Sequence, residues 1–151
     1  MAAQWYSVDR VREMTREARA ELDWMDRECL PEDEPYPKTR RHSHWWVVRS
    51  RPDGSPAGFA GSLWWPADRH VFLCRAGVLP AHRGNRLQRR LVLTRLRHAR
   101  ELGAEGAYTY THPTSLASAN TLIGCGFRLF EPAHAWGGEG MLYWIRGLSA
   151  D

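Results

Sequence analysis

The stretch "VLPAHRGNRLQRRL", Val78 to Leu91, constrains the fold more than any other part of the chain. The residues leading into it, His70 to Val78, have the composition of a strand. Those that follow place Leu87, Leu91, Val92, Leu96, Ala99 and Leu102 within one half of a helical wheel, which predicts a helix over Gly84 to Leu102. Arg86, Arg89, Arg90, Arg97 and Arg100 gather on the other half. Arg95 falls on the apolar side, where it must snorkel or pair. Gly103 suits the position just beyond the helix end. A strand that turns at Pro80 into a long one-sided helix marks a layered mixture of α and β. It also leaves the first helical N–H groups without partners, at the positive end of the helix dipole, where a phosphate binds well. Gly84 lets a ligand approach the backbone, and Arg83 adds a forked cation suited to phosphate oxygens. An ordinary strand-to-helix connection is the other reading of the same residues.

Before this unit, Val8, Val11, Met14, Ala18, Leu22, Met25 and Cys29 recur at spacings of three and four. They predict a helix over residues 7–30, capped by Ser7 and stopped by Pro31, with a break into two shorter helices left open. Residues 31–41 are a loop carrying Glu32, Asp33 and Glu34, either a solvated surface or a lip that attracts a cationic substrate. "HWWVVRS" (44–50) and "AGFAGSLWW" (57–65) read as strands joined at Asp53-Gly54, a strong hairpin signal. With 70–78 they predict an antiparallel meander whose Trp pairs serve mostly as core and sheet-face residues. "AYTYT" (107–111) is a strand, and "SLASANTLIG" (115–124) is a short helix capped by Ser115. Strands at 126–130 and 141–146 complete the chain. There is no repeat or linker, and 151 residues suit one domain spanning 1–151.

Charge and cysteine content narrow the setting. The net charge of +4 comes from 20 arginines and one lysine against 17 acids, which fits an anionic partner or an arginine-rich codon usage. Cys29, Cys74 and Cys125 are odd in number and far apart, as reduced thiols are, so neither a disulfide framework nor a metal site is expected. No run of about 18 apolar residues predicts a membrane span. "MAAQWYSVDR" does not read as a secretory signal, so the expected location is cytoplasmic.

The element order and the run V-x-P-x-x-R-G-x-x-L at 78–87 resemble the GNAT superfamily of acyl-CoA-dependent N-acetyltransferases. A second likeness is the short helix that ends in Gly126-Phe127. The resemblance implies an α+β fold of α/β/α layers. Its mixed central sheet has about six to seven strands, with a V-shaped split between the fourth and fifth. It implies acetyl-CoA as co-substrate, its diphosphate held by amides of Gly84, Asn85, Arg86, Leu87 and Gln88 beside Arg83. It also implies a bulged strand in which Ala76, Gly77 and Val78 pair with the pantetheine arm, the Val78 amide polarising the thioester. Ser118 and Asn120 would contribute from the short helix, or simply be capping and surface polarity. Arg86 and Gln88 stand where the family's loop has glycine and a small residue. Right-handed helical dihedrals at both would keep the loop unstrained.

The family's usual glutamate base and tyrosine acid are replaced here by Cys74 and Leu122. His112 is the candidate base, or a turn residue before Pro113. Tyr110 is the candidate acid, with Tyr143 behind it. The implied activity is direct acetyl transfer to a primary amine of a small molecule or peptide, the acids at 32–34 favouring a cationic acceptor. Two alternatives stay open: a catalytically silent acyl-CoA-binding module, and a toxin-type enzyme acting on aminoacyl-tRNA through the arginine face of the long helix. Exposed strand edges suit a homodimer, and no membrane partner is expected.

Overall fold

The computed structural model describes residues 3–148. In chain order the elements are β1 (Trp5–Arg10), α1 (Arg16–Cys29), β2 (Ser43–Arg51), β3 (Pro56–Trp65), β4 (His70–Val78), a 3-10 turn (Pro80–His82), α2 (Leu87–Glu101), β5 (Gly106–Thr111), α3 (Leu116–Gly124), β6 (Arg128–Phe130) and β7 (Leu142–Gly147). The strands form one seven-stranded sheet in the order β1-β2-β3-β4-β5-β7-β6. Among the described residues, only β4 and β5 pair in parallel. This is the α+β mixed-sheet architecture expected above.

Alternation along the strands sorts the core into layers. On β2, Trp46 and Val48 join Leu87 and Leu91 of α2. Their neighbours Trp45 and Val47 face the other way and join Leu22 and Met25 of α1. The far half of the α2 face packs Val92, Leu96 and Ala99 with Leu122 of α3 and with Leu73, Ala107 and Trp144 of the sheet.

The predicted helix over 7–30 is two elements, and its first part is a strand. Residues 5–10 pair antiparallel with β2, Val8 opposite Val48. Tyr6 and Val8 pack on the α2-side core, while Ser7 and Asp9 each accept a hydrogen bond from Arg51 at 3.0 Å. The apolar spacing misled because Val11 and Met14, in the link, pack beside α1 in the same core. The helix cap is Thr15, whose hydroxyl accepts the Ala18 N–H at 3.1 Å, and not Ser7. The long helix likewise starts three residues later than predicted, at Leu87, because Pro80–His82 forms its own turn. β6 begins at Arg128 rather than residue 126, since Gly126 has a φ of +88° and ends the α3 segment. Ser115 is the N-cap of α3 by position but its side chain makes no capping bond.

Two features open the sheet. β4 pairs with β5 only from His70 to Phe72. Beyond that, the Thr109 hydroxyl donates to the Leu73 carbonyl at 2.8 Å, and the strands part. Against β3, Gly61 faces Arg75 while Leu63 faces Phe72, so β4 spends three residues where β3 spends two. That extra residue is a β-bulge at the point of separation.

Candidate functional site

A cleft of about 960 Å³ occupies the split. Its walls include β4 from Phe72 to Val78, the turn into α2, Ser115 just before α3, and Ser118 and Thr121 on α3. At its mouth, α2 has no side-chain cap and no acid in its first turn. Among the described residues, no acceptor within the chain takes the amides of Arg86, Leu87, Gln88 or Arg89. The first intrahelical bond runs from Arg90 N–H to the Arg86 carbonyl at 3.2 Å. Four donors at the positive helix end therefore face outward together, an arrangement that attracts an anion.

The loop is built from strained and pinned residues. Gly84 has a φ of +85°, with open space where a Cβ would stand. Arg86, expected in a right-handed conformation, sits instead at φ 57°, ψ 27°. Left-handed backbone costs a residue with a Cβ about 1 kcal/mol or more, which is why glycine is usual at that position. The Arg83 Nε donates to the Val78 carbonyl at 3.1 Å, so one edge of its fork braces the turn. The Asn85 side chain donates to the His82 carbonyl at 3.0 Å and to the Tyr6 hydroxyl at 3.2 Å. Asn85 is thus a loop brace at its side chain.

On β4, hydrogen-bonded pairs with β3 alternate, and Leu79 N–H bonds the Ala57 carbonyl at 2.8 Å. By that alternation Val78 and Ala76 turn their N–H groups toward the split, where β5 no longer pairs. They form an open strand edge inside the cleft. Of the other expected contacts, Gly77, Leu87, Gln88 and Ser118 border the cleft; Asn85 and Asn120 do not. Leu87 offers only its main chain, because its side chain is core.

The catalytic candidates divide. Burial pushes the Cys74 thiol up to about 12, which keeps it in the neutral form at neutral pH. Leu122 is a core residue. The Tyr143 hydroxyl accepts from Gly137 N–H at 3.0 Å and donates to the Gly138 carbonyl at 2.9 Å, which commits it to anchoring that loop. Tyr110 and His112 both line the cleft. Tyr110 stacks on Phe72 at 6.1 Å and meets the Trp136 ring edge-on at 5.5 Å. The His112 Nδ1 accepts from Thr114 N–H at 3.2 Å and lies 2.7 Å from the Thr114 hydroxyl. That assigns the proton of the neutral ring to Nε2, making it a donor rather than a ready base.

Glu32 and Asp33 border the same cleft, on a loop tied down from below. Lys38, the chain's single lysine, is buried and donates to Asp23, Asp26 and the Tyr36 carbonyl at 2.7–2.8 Å. Arg75 grips the other Asp26 oxygen through two nitrogens at 2.8 and 2.9 Å. Burial raises the Asp26 carboxyl, but Arg75, Lys38 and the Tyr36 amide outweigh it and leave it below its ordinary value. The arginine face of α2 is partly spent: Arg89 donates to the Gly124 carbonyl and Arg90 to that of Tyr6. Arg95, expected to snorkel or pair, does neither; it is buried against backbone carbonyls and also borders the cleft. Sequence reading missed it as a cleft residue, although a charge on an apolar stripe was the signal. No helix among the described residues is long and apolar enough to cross a membrane.

The Acetyltransferase (GNAT) family model matches residues 5–127. Among solved structures, the ribosomal-protein-S18-alanine N-acetyltransferase from Escherichia coli superposes with a TM-score of 0.77 at 11% identity, covering 97% of this chain and 96% of that one. An acetyltransferase from Bacillus subtilis in complex with CoA gives 0.73 at 16% identity, covering 96% and 100%. Nourseothricin acetyltransferase gives 0.68 at 18% identity, covering 97% and 99%. No curated protein sequence matches the chain.

Proposed function

The chain belongs to the GNAT acetyltransferase family, and from that premise we propose that it transfers an acyl group, in the simplest case the acetyl of acetyl-CoA, directly to a primary amine of a small molecule or peptide. The observation that carries this reading is the set of unpartnered amides at the start of α2, opening onto a cleft cut into the β4–β5 split. The B. subtilis neighbour, solved with CoA, supports a coenzyme in that cleft. In this reading the α2 amides and the free nitrogens of Arg83 hold the diphosphate. The open edge at Ala76 and Val78 pairs with the pantetheine arm.

The acceptor enters from the α1 side. There Phe72 and Tyr110 line the cleft, backed edge-on by Trp136, and Glu32 supplies negative charge beside Asp33, which is itself paired with Arg75 at 3.5 Å. That pairing favours a protonated amine on approach, by attraction to carboxylates and ring faces. The amine must then lose a proton, attack the carbonyl carbon and expel the thiolate. In this reading the Val78 N–H steadies the oxyanion. His112 Nε2–H and the Tyr110 hydroxyl are the donors available to the departing sulfur. A thiol with pKa near about 8.5 leaves without strong acid assistance. In this reading the cleft's carboxylates, Glu32 and Asp33, attract the amine and do not take its proton, so rate follows the fraction of acceptor already neutral.

Coenzyme A release measured against a panel of amines tests this reading. Turnover is expected with cationic amines. Its kcat/KM should climb with pH toward the acceptor's own pKa, about 10.4 for a lysine-like amine. Replacing His112 by Ala should cost less than the roughly 10²-fold that removal of a general base costs. Coenzyme binding without turnover on any amine would instead identify a silent acyl-CoA-binding module, the reading that Cys74 and Leu122 favour.

A further inference from the structure

Gln88, Val92 and Arg95 border the cleft from one stripe of α2. Arg95 is out of keeping with its surroundings. Only 3% of it is exposed. Its Nε donates to the Leu91 carbonyl and its Nη1 to the Gly61 carbonyl, both at 3.1 Å. A guanidinium has five N–H donors, and these bonds use two of them. Among the described residues no carboxylate pairs with Arg95, and its Nη2 has no acceptor. Burial draws its pKa down to about 10, which still leaves it charged at neutral pH. Holding a lone charge out of water is unfavourable unless something answers it. The chain keeps this one in the wall of its own cleft.

Depth decides what the answering group is. Arg95 lies eight residues beyond Leu87, about 12 Å along the helix from the amides at the mouth. Its bond to the Gly61 carbonyl holds it at the register shift between β3 and β4, beside the bulge where the split begins. A coenzyme whose diphosphate rests at the mouth, and whose arm runs from Val78 past Ala76, brings its acyl end to this depth. The phosphates are then too far away to be the partner. Around it Leu73, Val92 and Leu122 are apolar, the Thr109 hydroxyl is already donated to the Leu73 carbonyl, and Cys74 is a neutral thiol, so the guanidinium fork is the one cation a carboxylate meets at this depth.

We propose that Arg95 receives a carboxylate carried by the acyl group, so that the preferred donor is the coenzyme A thioester of a short dicarboxylic acid, of the malonyl or succinyl class. The proposal rests on the cleft being an acyl-CoA site. The chemistry of transfer is unchanged. The amine nitrogen bonds to the thioester carbon, the carbon–sulfur bond breaks, and the amine proton passes to solvent or to the thiolate. The distal carboxylate is untouched and converts a cationic acceptor into an anionic product.

The test is calorimetric titration of the intact protein with coenzyme A, acetyl-CoA, malonyl-CoA and succinyl-CoA, repeated on Arg95→Met. The wild type should bind one of the carboxylated thioesters at least about tenfold more tightly than acetyl-CoA, the worth of one charge-assisted pair. In Arg95→Met that ratio should collapse toward unity. Acetyl-CoA binding as tightly as both carboxylated thioesters in the wild type would overturn the proposal and leave the coenzyme site standing. Failure of coenzyme A itself to bind would remove both. The decisive comparison is within the wild type, so it holds whether or not the variant folds.

Discussion

Arg86 stands where the family's loop carries its middle glycine, and its φ of 57° shows what glycine does there. Here the chain enters α2 through a left-handed residue, and the first helical amides are left without acceptors. Arginine pays for that turn in backbone strain, while adding a cation at the cleft mouth. Arg86→Gly should relieve about 1 kcal/mol, partly offset by the freer unfolded chain, and raise the melting temperature by up to about 2–4 °C. Scanning calorimetry without ligand checks this; a lower melting temperature would mean that the Arg86 side chain contributes more than its backbone costs. The sequence showed that arginine had replaced glycine. It could not show the sign of φ, because a dihedral is set by how the 3-10 turn at Pro80–His82 hands over to the helix. His112 is a similar case: a histidine before proline is visible, but which ring nitrogen is free depends on Thr114 folding back onto it.

Elements that pack through several apolar residues were the legible ones. The hairpin at Asp53-Gly54, the β4-to-α2 unit and the α3 segment stand where spacing placed them, apart from the three residues by which α2 starts late. β1 was lost because its six residues pair at a sheet edge, and their alternation was outweighed by a longer run of helix-like spacing. Contacts between elements were not legible at all, and one carries a pH dependence. His98 on α2 and His44 on β2 lie with ring centroids 4.5 Å apart. Burial is the main cause that lowers each to about 4; the other ring and Arg10 add to it at His44, and Arg10 and Arg12 add to it at His98. In the unfolded chain the same rings take up protons near pH 6.5. Between those values the unfolded state binds more protons, so stability is lost as pH falls through that window. Melting temperature should be level above about pH 7 and fall from about 6.5 toward 4. His44→Phe should make the fall shallower, and an unaltered slope would show that carboxylates alone govern it.

For the molecule as a whole, the split sheet is what opens a cleft at the start of a helix. The parallel seam ends at Leu73 and Thr109, β4 keeps an open edge beyond its bulge, and α2 delivers four free amides to the mouth. The sequence announced this arrangement through Pro80, Arg83 and Gly84. It did not reveal that Asn85 and one edge of Arg83 brace the loop from within, or that Arg95 reaches the cleft, since both depend on contacts across the fold. The central claim is that the main-chain donors of α2 contribute directly to holding the coenzyme, beside the side chain of Arg83. Gln88 tests it most directly: proline at this first-turn position deletes an amide that has no partner in the helix, while alanine deletes only the side chain. In calorimetric titration with coenzyme A, Gln88→Ala should bind nearly as the wild type does. Gln88→Pro should bind at least about tenfold more weakly, the loss of one hydrogen bond to a charged group. Equal affinity in the proline variant, with its fold intact, would contradict the account.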